Sequence, residues 1–313
     1  MNISSPIFLV GAERSGTTLL RLMLDHHPQI AFNYEFEFAV DRIDADGNWP
    51  DLSTYYEYLA YHRIFLSTGF LIDPSLDYPA LVNHFLLQKQ QRDNKPIVGA
   101  TVHHKFHHLI KIWPKAKFIH ILRDGRDVAR SNIFMGWAGN MFTSTDLWIV
   151  AERLWQKLST QLLPEQQITI YYEELIQTPE QVLTQICDFI GVPFDKAMFD
   201  YAQHSTYSSP DPSIKERWRK QLTDYEIQLA ECKIATMLTE RGYPLSGLPL
   251  LKITHWLRRR MYIQNRWYKN LFRIRRYSFG LYLQNVLSRR LGMKNWQKRV
   301  QLRINAIVHQ YIK

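Results

Sequence analysis

The stretch Gly11-Ala12-Glu13-Arg14-Ser15-Gly16-Thr17-Thr18 decides the fold. It follows the apolar run Pro6-Ile7-Phe8-Leu9-Val10, and a helical pattern opens at Thr17. A short, wholly apolar run reads as a strand covered on both faces. A glycine-rich turn between such a strand and a helix reads as a phosphate-binding loop. Gly11 and Gly16, with four residues between them, match the spacing of a P-loop, but Thr17 stands where the lysine should follow. A cation comes earlier, at Arg14. Backbone N–H groups and the helix N-terminus can still cradle a phosphate. The β- and γ-phosphates of ATP would lack their lysine, so the loop suits a nucleotide with less charge beyond its 5′-phosphate.

Outward from this loop, short apolar runs alternate with helical patterns to about residue 245. Strands are predicted at Ile7–Val10, Ile30–Phe32, Ile97–Ala100, Phe118–Leu122 and Ile168–Tyr171. Helices are predicted at Thr17–His26, Leu52–Leu66, His103–Ile112, Asp124–Phe134 and Asp146–Leu162. Thr178-Pro179-Glu180-Gln181 reads as a cap with proline at the first helical position, opening a helix that stops at Gly191. Thr223-Asp224-Tyr225-Glu226 reads as a capping box, with its helix ending at Gly242. Ser205–Ser213 reads as a loop. The alternation implies an α/β fold: a central parallel sheet with helices on both faces, P-loop-like and nucleotide-binding.

The 313 residues suffice for one large domain or two ordinary ones, and 46% hydrophobic content is that of a globular protein. Cys187 and Cys232 are too few for a disulfide framework, and both fall in helical patterns, so reduced, partly buried thiols are expected. There is no charged leader and no run of 18 apolar residues, so neither a signal peptide nor a membrane span is expected, and a cytoplasmic location is the default.

Charge is unevenly spread. Residues 251–313 hold 16 Lys and Arg and no Asp or Glu, so the net +10 of the chain leaves −6 for residues 1–250. Two domains are expected, 1–248 and a basic helical tail at 249–313. The tail interleaves Arg258-Arg259-Arg260, Arg275-Arg276 and Arg289-Arg290 with Trp256, Trp267, Phe272 and Trp296. That composition suits amphipathic helices on an anionic membrane surface. Packing on the acidic body is the competing reading. A nucleic-acid arm is a third, but no recognised fold supports it and no nucleic-acid partner is expected.

A second basic element follows another strand: Lys117-Phe118-Ile119-His120-Ile121-Leu122 runs into Arg123-Asp124-Gly125-Arg126-Asp127, with Ser131 inside the next helix. Arg123 leaves the C-terminal end of its strand, where ligands gather in α/β folds. Two anion sites on adjacent strand ends suit a ribose with phosphates at both ends.

GAERSGTTLL together with KFIHILRDGRDVARS resembles the sulfotransferases that use 3′-phosphoadenosine-5′-phosphosulfate (PAPS), from about Pro6 to about Gly242. The resemblance implies that Arg14, Ser15, Gly16, Thr17 and Thr18 bind the 5′-phosphosulfate and that Arg123 and Ser131 bind the 3′-phosphate. It implies that Tyr172, in Tyr172-Glu173-Glu174-Leu175, lies near the nucleotide. Lys215 and Arg217, in a late basic element, would close over it. Arg14 would stabilise the leaving oxygen electrostatically, since a guanidinium keeps its proton.

A base must take the acceptor's proton. Glu35 and Glu37 lie among aromatic neighbours in Phe32-Asn33-Tyr34-Glu35-Phe36-Glu37-Phe38, where burial would raise a carboxylate's pKa. Leu24-Asp25-His26-His27-Pro28 is similar to a run of the tyrosylprotein branch, and this resemblance makes Glu35 the catalytic base. The cytosolic branch uses a histidine, for which His103 or His104 would stand. No metal is implied, since neither His103-His104 nor His107-His108 has zinc-site spacing. Many relatives carry Lys-Thr-Pro or Lys-Asp-Pro where this chain reads Gly99-Ala100-Thr101-Val102-His103. Acceptor identity therefore stays open among a glycan, lipid, small metabolite or protein tyrosine. A P-loop phosphotransferase using ATP and a non-catalytic, membrane-associated nucleotide module are the alternative functions.

Overall fold

A computed structural model describes residues 3–311. Its five strands are β1 (Ile7–Val10), β2 (Ile30–Glu35), β3 (Ile97–Val102), β4 (Lys117–Leu122) and β5 (Gln167–Tyr171). They form one sheet in the order β2-β3-β1-β4-β5, every pair parallel. All five predicted strands are present; the apolar runs of β1, β2 and β3 are covered on both faces, β4 buries His120 among its apolar residues, and the edge strand β5 leaves Thr169 exposed.

The period-two rule divides those residues between two cores. Phe8 and Val10 of β1, with Val98 and Val102 of β3, face one cluster. Ile7 and Leu9, with Ile119 and Ile121 of β4, face the other. The second core is filled by α1 (Thr17–His26), which coincides with its predicted span. The first is covered by α2 (Leu52–Leu59), α3 (Arg63–Thr68) and α4 (Tyr78–Asp93). Helix α4 was not legible as a separate element. Asp77 caps it through Ala80 N, and Asn94 ends it in the left-handed region. The single helix predicted at Leu52–Leu66 is instead α2 and α3.

The predicted helix His103–Ile112 shrinks to α5 (Leu109–Ile112), preceded by a 3₁₀ turn at Phe106–His108. Lys105 has φ 52° there, which a continuing helix cannot accept. Its ammonium donates to the carbonyls of Asp41 and Ile43. Next come α6 (Gly125–Phe134) and α7 (Met141–Ser159), the latter beginning five residues before its predicted start. Asn140 supplies the cap, with Oδ1 accepting from Thr143 N at 3.0 Å. Helices α8 (Tyr172–Gln177) and α9 (Pro179–Ile190) abut. Thr178 between them makes no N-terminal side-chain cap, because its hydroxyl turns back to Glu174 O. Then come α10 (Tyr201–His204), α11 (Trp218–Gln221) and α12 (Asp224–Glu240). The Thr223–Glu226 capping box at the start of α12 is formed in both directions.

The chain divides into two compact units. The first holds the sheet and comprises residues up to 59, 64–124 and 147–216. The second comprises 60–63, 125–146 and the chain from 217 onward. Within the second unit Arg126 is fully buried. Its guanidinium meets Glu231 Oε1 at 2.6 Å, donates to Pro244 O at 2.9 Å and lies 3.6 Å over the Trp218 ring. Asp127 Oδ1 accepts from Trp218 N at 2.8 Å. The tail forms α13 (His255–Tyr277), α14 (Phe279–Arg290) and α15 (Lys294–Tyr311). Helix α13 packs on residues 139–140: Gly139 N donates to Asn265 Oδ1 and Asn140 Nδ2 to Met261 O, each at 2.8 Å. Burial pushes the free thiols of Cys187 and Cys232 up to about 11, which keeps them protonated.

Removing one partner of a buried ion pair strands the other's charge. Glu231→Gln should therefore cost roughly 3 kcal/mol or more of the second unit's stability. Urea unfolding followed by Trp218 fluorescence checks it, and a cost below about 1 kcal/mol would mean that Arg126 is held without its charge partner.

Candidate active site

Parallel pairing of β1 with β4 puts Val10 beside His120, so the loop after β1 and the residues after β4 leave the sheet side by side. Gly11 is required at that exit: a Cβ there would stand 2.4 Å from Ile121 O. Gly16 caps α1 at φ 93°, and a Cβ on it would stand 2.2 Å from the Tyr172 ring. Arg14, without a glycine's freedom, still takes φ 71°, a strained conformation of the kind that collects at functional sites.

Arg123 joins the two loops. One Nη donates to Arg14 O at 3.1 Å, and the guanidinium lies 4.4 Å from the Tyr172 ring centroid. The backbone around it is pinned on both sides: Trp148 Nε1 donates to Arg123 O, and Asp124 N donates to Glu173 Oε1. Arg14, Gly16, Thr17, Thr18, Arg123 and Tyr172 line one cleft of about 270 Å³. Two buried polar atoms here, Ser15 Oγ and Arg123 Nε, have no partner among the described residues. With the unpaired N–H groups at the start of α1, such atoms fit a phosphate oxygen.

The other wall of the cleft is the Tyr207–Asp211 stretch with Ile176 and Ile214. Sequence reading took this segment as a plain loop. Its Ser-Ser-Pro-Asp-Pro composition carries a turn signal and nothing that announces a ligand.

Thr17 leads to a relay that spacing alone did not reveal. Its hydroxyl is 3.0 Å from His103 Nε2, and His103 Nδ1 is 2.7 Å from Glu37 Oε1, which also accepts His103 N. Burial works against the His103 imidazolium, but the hydrogen bond and charge of Glu37 outweigh it and push its pKa up to about 8. Glu37, although buried, is held below the ordinary carboxylate value by the same bond. At neutral pH both ring nitrogens therefore carry protons. Nδ1–H donates to Glu37, and Nε2–H donates to Thr17 Oγ1, leaving the Thr17 proton free to point into the cleft.

Glu35 ends β2, half-buried, next to a bulge at Tyr34 where the pairing with β3 slips by one residue. A bulge re-aims the residues after it. Its charge is felt by both His103 and Arg21. Glu35 is not among the residues lining the 270 Å³ cleft. His104 is bonded to Asp41 at 2.7 Å, and that bond raises its pKa. Exposed Lys215 donates to Gln177 Oε1 at 3.0 Å, away from the cleft lining. Ser131 lies on α6 and exposed Arg217 precedes α11, both in the second unit.

The sequence model described as the Sulfotransferase family matches residues 6–196. Protein-tyrosine sulfotransferase A of Caenorhabditis elegans is 24% identical over 212 residues, 64% of this chain and 54% of that protein. Protein-tyrosine sulfotransferase 1 of Danio rerio is 28% identical over 207 residues, 63% of this chain and 56% of that protein. The chain thus spans about half the length of these relatives. Among solved structures, a sulfotransferase domain from the curacin biosynthetic pathway superposes with a TM-score of 0.54 at 20% identity, covering 78% of this chain and 100% of that domain. This likeness shows the fold.

A raised folded pKa at His103 fixes the sign of a pH effect. The Glu37–His103 pair stabilises fully below the ordinary 6.5 and ceases to do so as pH rises through about 8. The His103 imidazole signals should titrate near 8 in NMR. Glu37→Gln should bring that midpoint down and flatten the loss of melting temperature across the same window. A midpoint unmoved by Glu37→Gln would refute the pairing.

Proposed function

Because the chain belongs to the sulfotransferase family, we propose that it transfers a sulfuryl group from PAPS to an acceptor hydroxyl. The observation that carries this reading is the junction of Arg123 with Arg14 O, which brings two basic strand ends onto one cleft. A ligand with phosphate at both ends of one ribose needs two such ends. The missing lysine after Gly16 argues against a triphosphate.

In this reading Ser15, Gly16, Thr17 and Thr18 hold the 5′-phosphosulfate through backbone N–H groups and hydroxyls. Arg123 and Ser131 hold the 3′-phosphate, and Tyr172 braces Arg123. Lys215 and Arg217 close over the nucleotide when it binds. The acceptor oxygen attacks sulfur in line as the bond from sulfur to the 5′-phosphate oxygen breaks. Arg14 meets the negative charge that gathers on that oxygen. The acceptor's proton passes to Glu35. His103 is the weaker candidate, since below about pH 8 it is already protonated, and Glu37 and Thr17 occupy both nitrogens. It acts instead as a positioning residue that keeps Thr17 a donor. No metal enters this scheme.

The relatives' activity supports a protein tyrosine among the acceptor classes, beside glycan, lipid and small-metabolite hydroxyls. The tail supports attachment to an anionic membrane surface from the cytoplasmic side. Trp256, Ile263 and Trp267 make one exposed stripe on α13, roughly opposite the Met261–Asn265 face that packs on residues 139–140. No helix among the described residues is long and apolar enough to cross a membrane.

Calorimetry should find 3′,5′-ADP bound in preference to 5′-ADP and to ATP with Mg²⁺. Arg123→Ala should weaken 3′,5′-ADP by about tenfold to a hundredfold. Equal or tighter binding of ATP would overturn the reading in favour of a phosphotransferase.

With a sulfatable acceptor, Glu35→Gln should lower turnover by about 10² or more while leaving 3′,5′-ADP affinity within about twofold. Arg14→Ala should cost a similar factor in turnover. Normal turnover in Glu35→Gln would remove that residue from the role. Normal turnover in Arg14→Ala would remove Arg14 from its role, and absence of turnover in wild type together with 3′,5′-ADP binding would point to a binding module with no transfer of its own.

A further inference from the structure

The three tail helices line an open cavity of about 420 Å³ that shares no residue with the nucleotide cleft, and its four arginines are exposed at the rim. Arg266 and Arg273 reach it from α13, seven residues apart and therefore on one face. Arg289 and Arg290 reach it from the last turn of α14. Arg289 is held in place by two amides: Nε donates to Asn285 Oδ1 at 3.0 Å, and one Nη donates to Gln301 Oε1 of α15 at 3.4 Å. A further bond, from Gln297 Nε2 to Ser288 O at 2.9 Å, ties α15 to α14 beside the cavity.

No carboxylate answers these charges. Residues 251–313 contain no Asp or Glu, and none of the four arginines forms an ion pair among the described residues. Burial, and then the Arg273 charge, push the nearby Lys269 ammonium down. Four guanidiniums around one cavity repel each other, and a bound anion relieves that repulsion. A single carboxylate has too few oxygens for four forks, whereas a tetrahedral phosphate presents several to planar guanidiniums. The cavity has room for a phosphate with an organic group attached to it.

We propose that this cavity binds a phosphate ester. The ester is either a soluble metabolite or the headgroup of an anionic lipid, and the chemistry of recognition is the same. The proposal stands apart from the sulfuryl-transfer reading, since no residue of the transfer site takes part in it.

The test uses the full chain without added nucleotide; R273Q/R290Q leaves the lining of the nucleotide cleft intact, so any probe taken up there binds wild type and variant alike. Glycerol 1-phosphate is titrated by calorimetry. Flotation is measured with phosphatidylcholine vesicles with and without phosphatidic acid. Wild type is compared with R273Q/R290Q and with R258Q/R259Q, which removes the same charge from α13 outside the cavity lining. The expected result is saturable binding to one probe, weakened about tenfold or more in R273Q/R290Q and little changed in R258Q/R259Q. Binding of glycerol 1-phosphate identifies a soluble ester, and binding confined to phosphatidic acid vesicles identifies a headgroup. In wild type the side-chain amide signals of Asn285 and Gln301 should shift with the same probe, a readout that needs no variant. Equal weakening in both double variants, or no saturable binding to either probe, would overturn the site and leave only the summed charge of the tail.

Discussion

Arg123 donates a hydrogen bond to the carbonyl of Arg14 while its guanidinium rests on the Tyr172 ring. Pairing of β1 with β4 sets the two loops side by side, and this contact ties them together beyond the end of the sheet. Arg14 must turn its carbonyl inward to accept that bond, and it does so at φ 71°. A non-glycine residue in that region costs free energy, of order 1–3 kcal/mol, and persists only where its surroundings over-determine it. The surroundings do so here. Gly11 allows the loop to pass against Ile121 O, and Gly16 allows Tyr172 to close down on the start of α1. Trp148 and Glu173 fix the backbone from which Arg123 projects. Ser15 Oγ and Arg123 Nε are buried without partners among the described residues, a cost that a bound anion would remove.

The sheet was legible because its chemistry is one-dimensional. An uninterrupted apolar run has to be covered on both faces wherever it lies, and the runs of β1, β2 and β3 became strands, as did β4 and β5, which are interrupted by His120 and Thr169. The places of the loop after β1 and of Arg123 after β4 were legible for the related reason that they follow from strand ends. Elements whose limits depend on distant partners were not. The predicted helix at His103 is lost because Glu37 and Asp41, more than sixty residues away, take hold of His103, His104 and Lys105. Thr178 has the sequence of a cap but is turned back by the helix before it. Helix α4 was missed although Asp77 and Pro79 mark its start, since its apolar positions are interrupted by Asn83, His84 and Gln88. The loop wall at Tyr207–Asp211 carries no periodicity, and only its place in the fold gives it a role.

Glu35 and Glu37 show how two carboxylates on one short segment acquire different work. Their aromatic flanks treat them alike, and only the resemblance of Leu24–Pro28 to the tyrosylprotein branch singles out Glu35. The bulge at Tyr34 and the 3₁₀ turn after β2 separate them. Glu37 is drawn into the interior, where it meets His103 and is kept ionised by it. A carboxylate whose charge is needed to hold an imidazolium is a poor proton acceptor, because protonating it would leave that imidazolium buried alone. Glu35 is only half-buried and lies within electrostatic reach of both His103 and Arg21. Through the Glu37–His103–Thr17 chain, one carboxylate fixes the orientation of the Thr17 hydroxyl. The other, Glu35, keeps a half-buried carboxylate at the end of β2. The division follows from burial and hydrogen bonding, and the identity of the residues alone does not determine it.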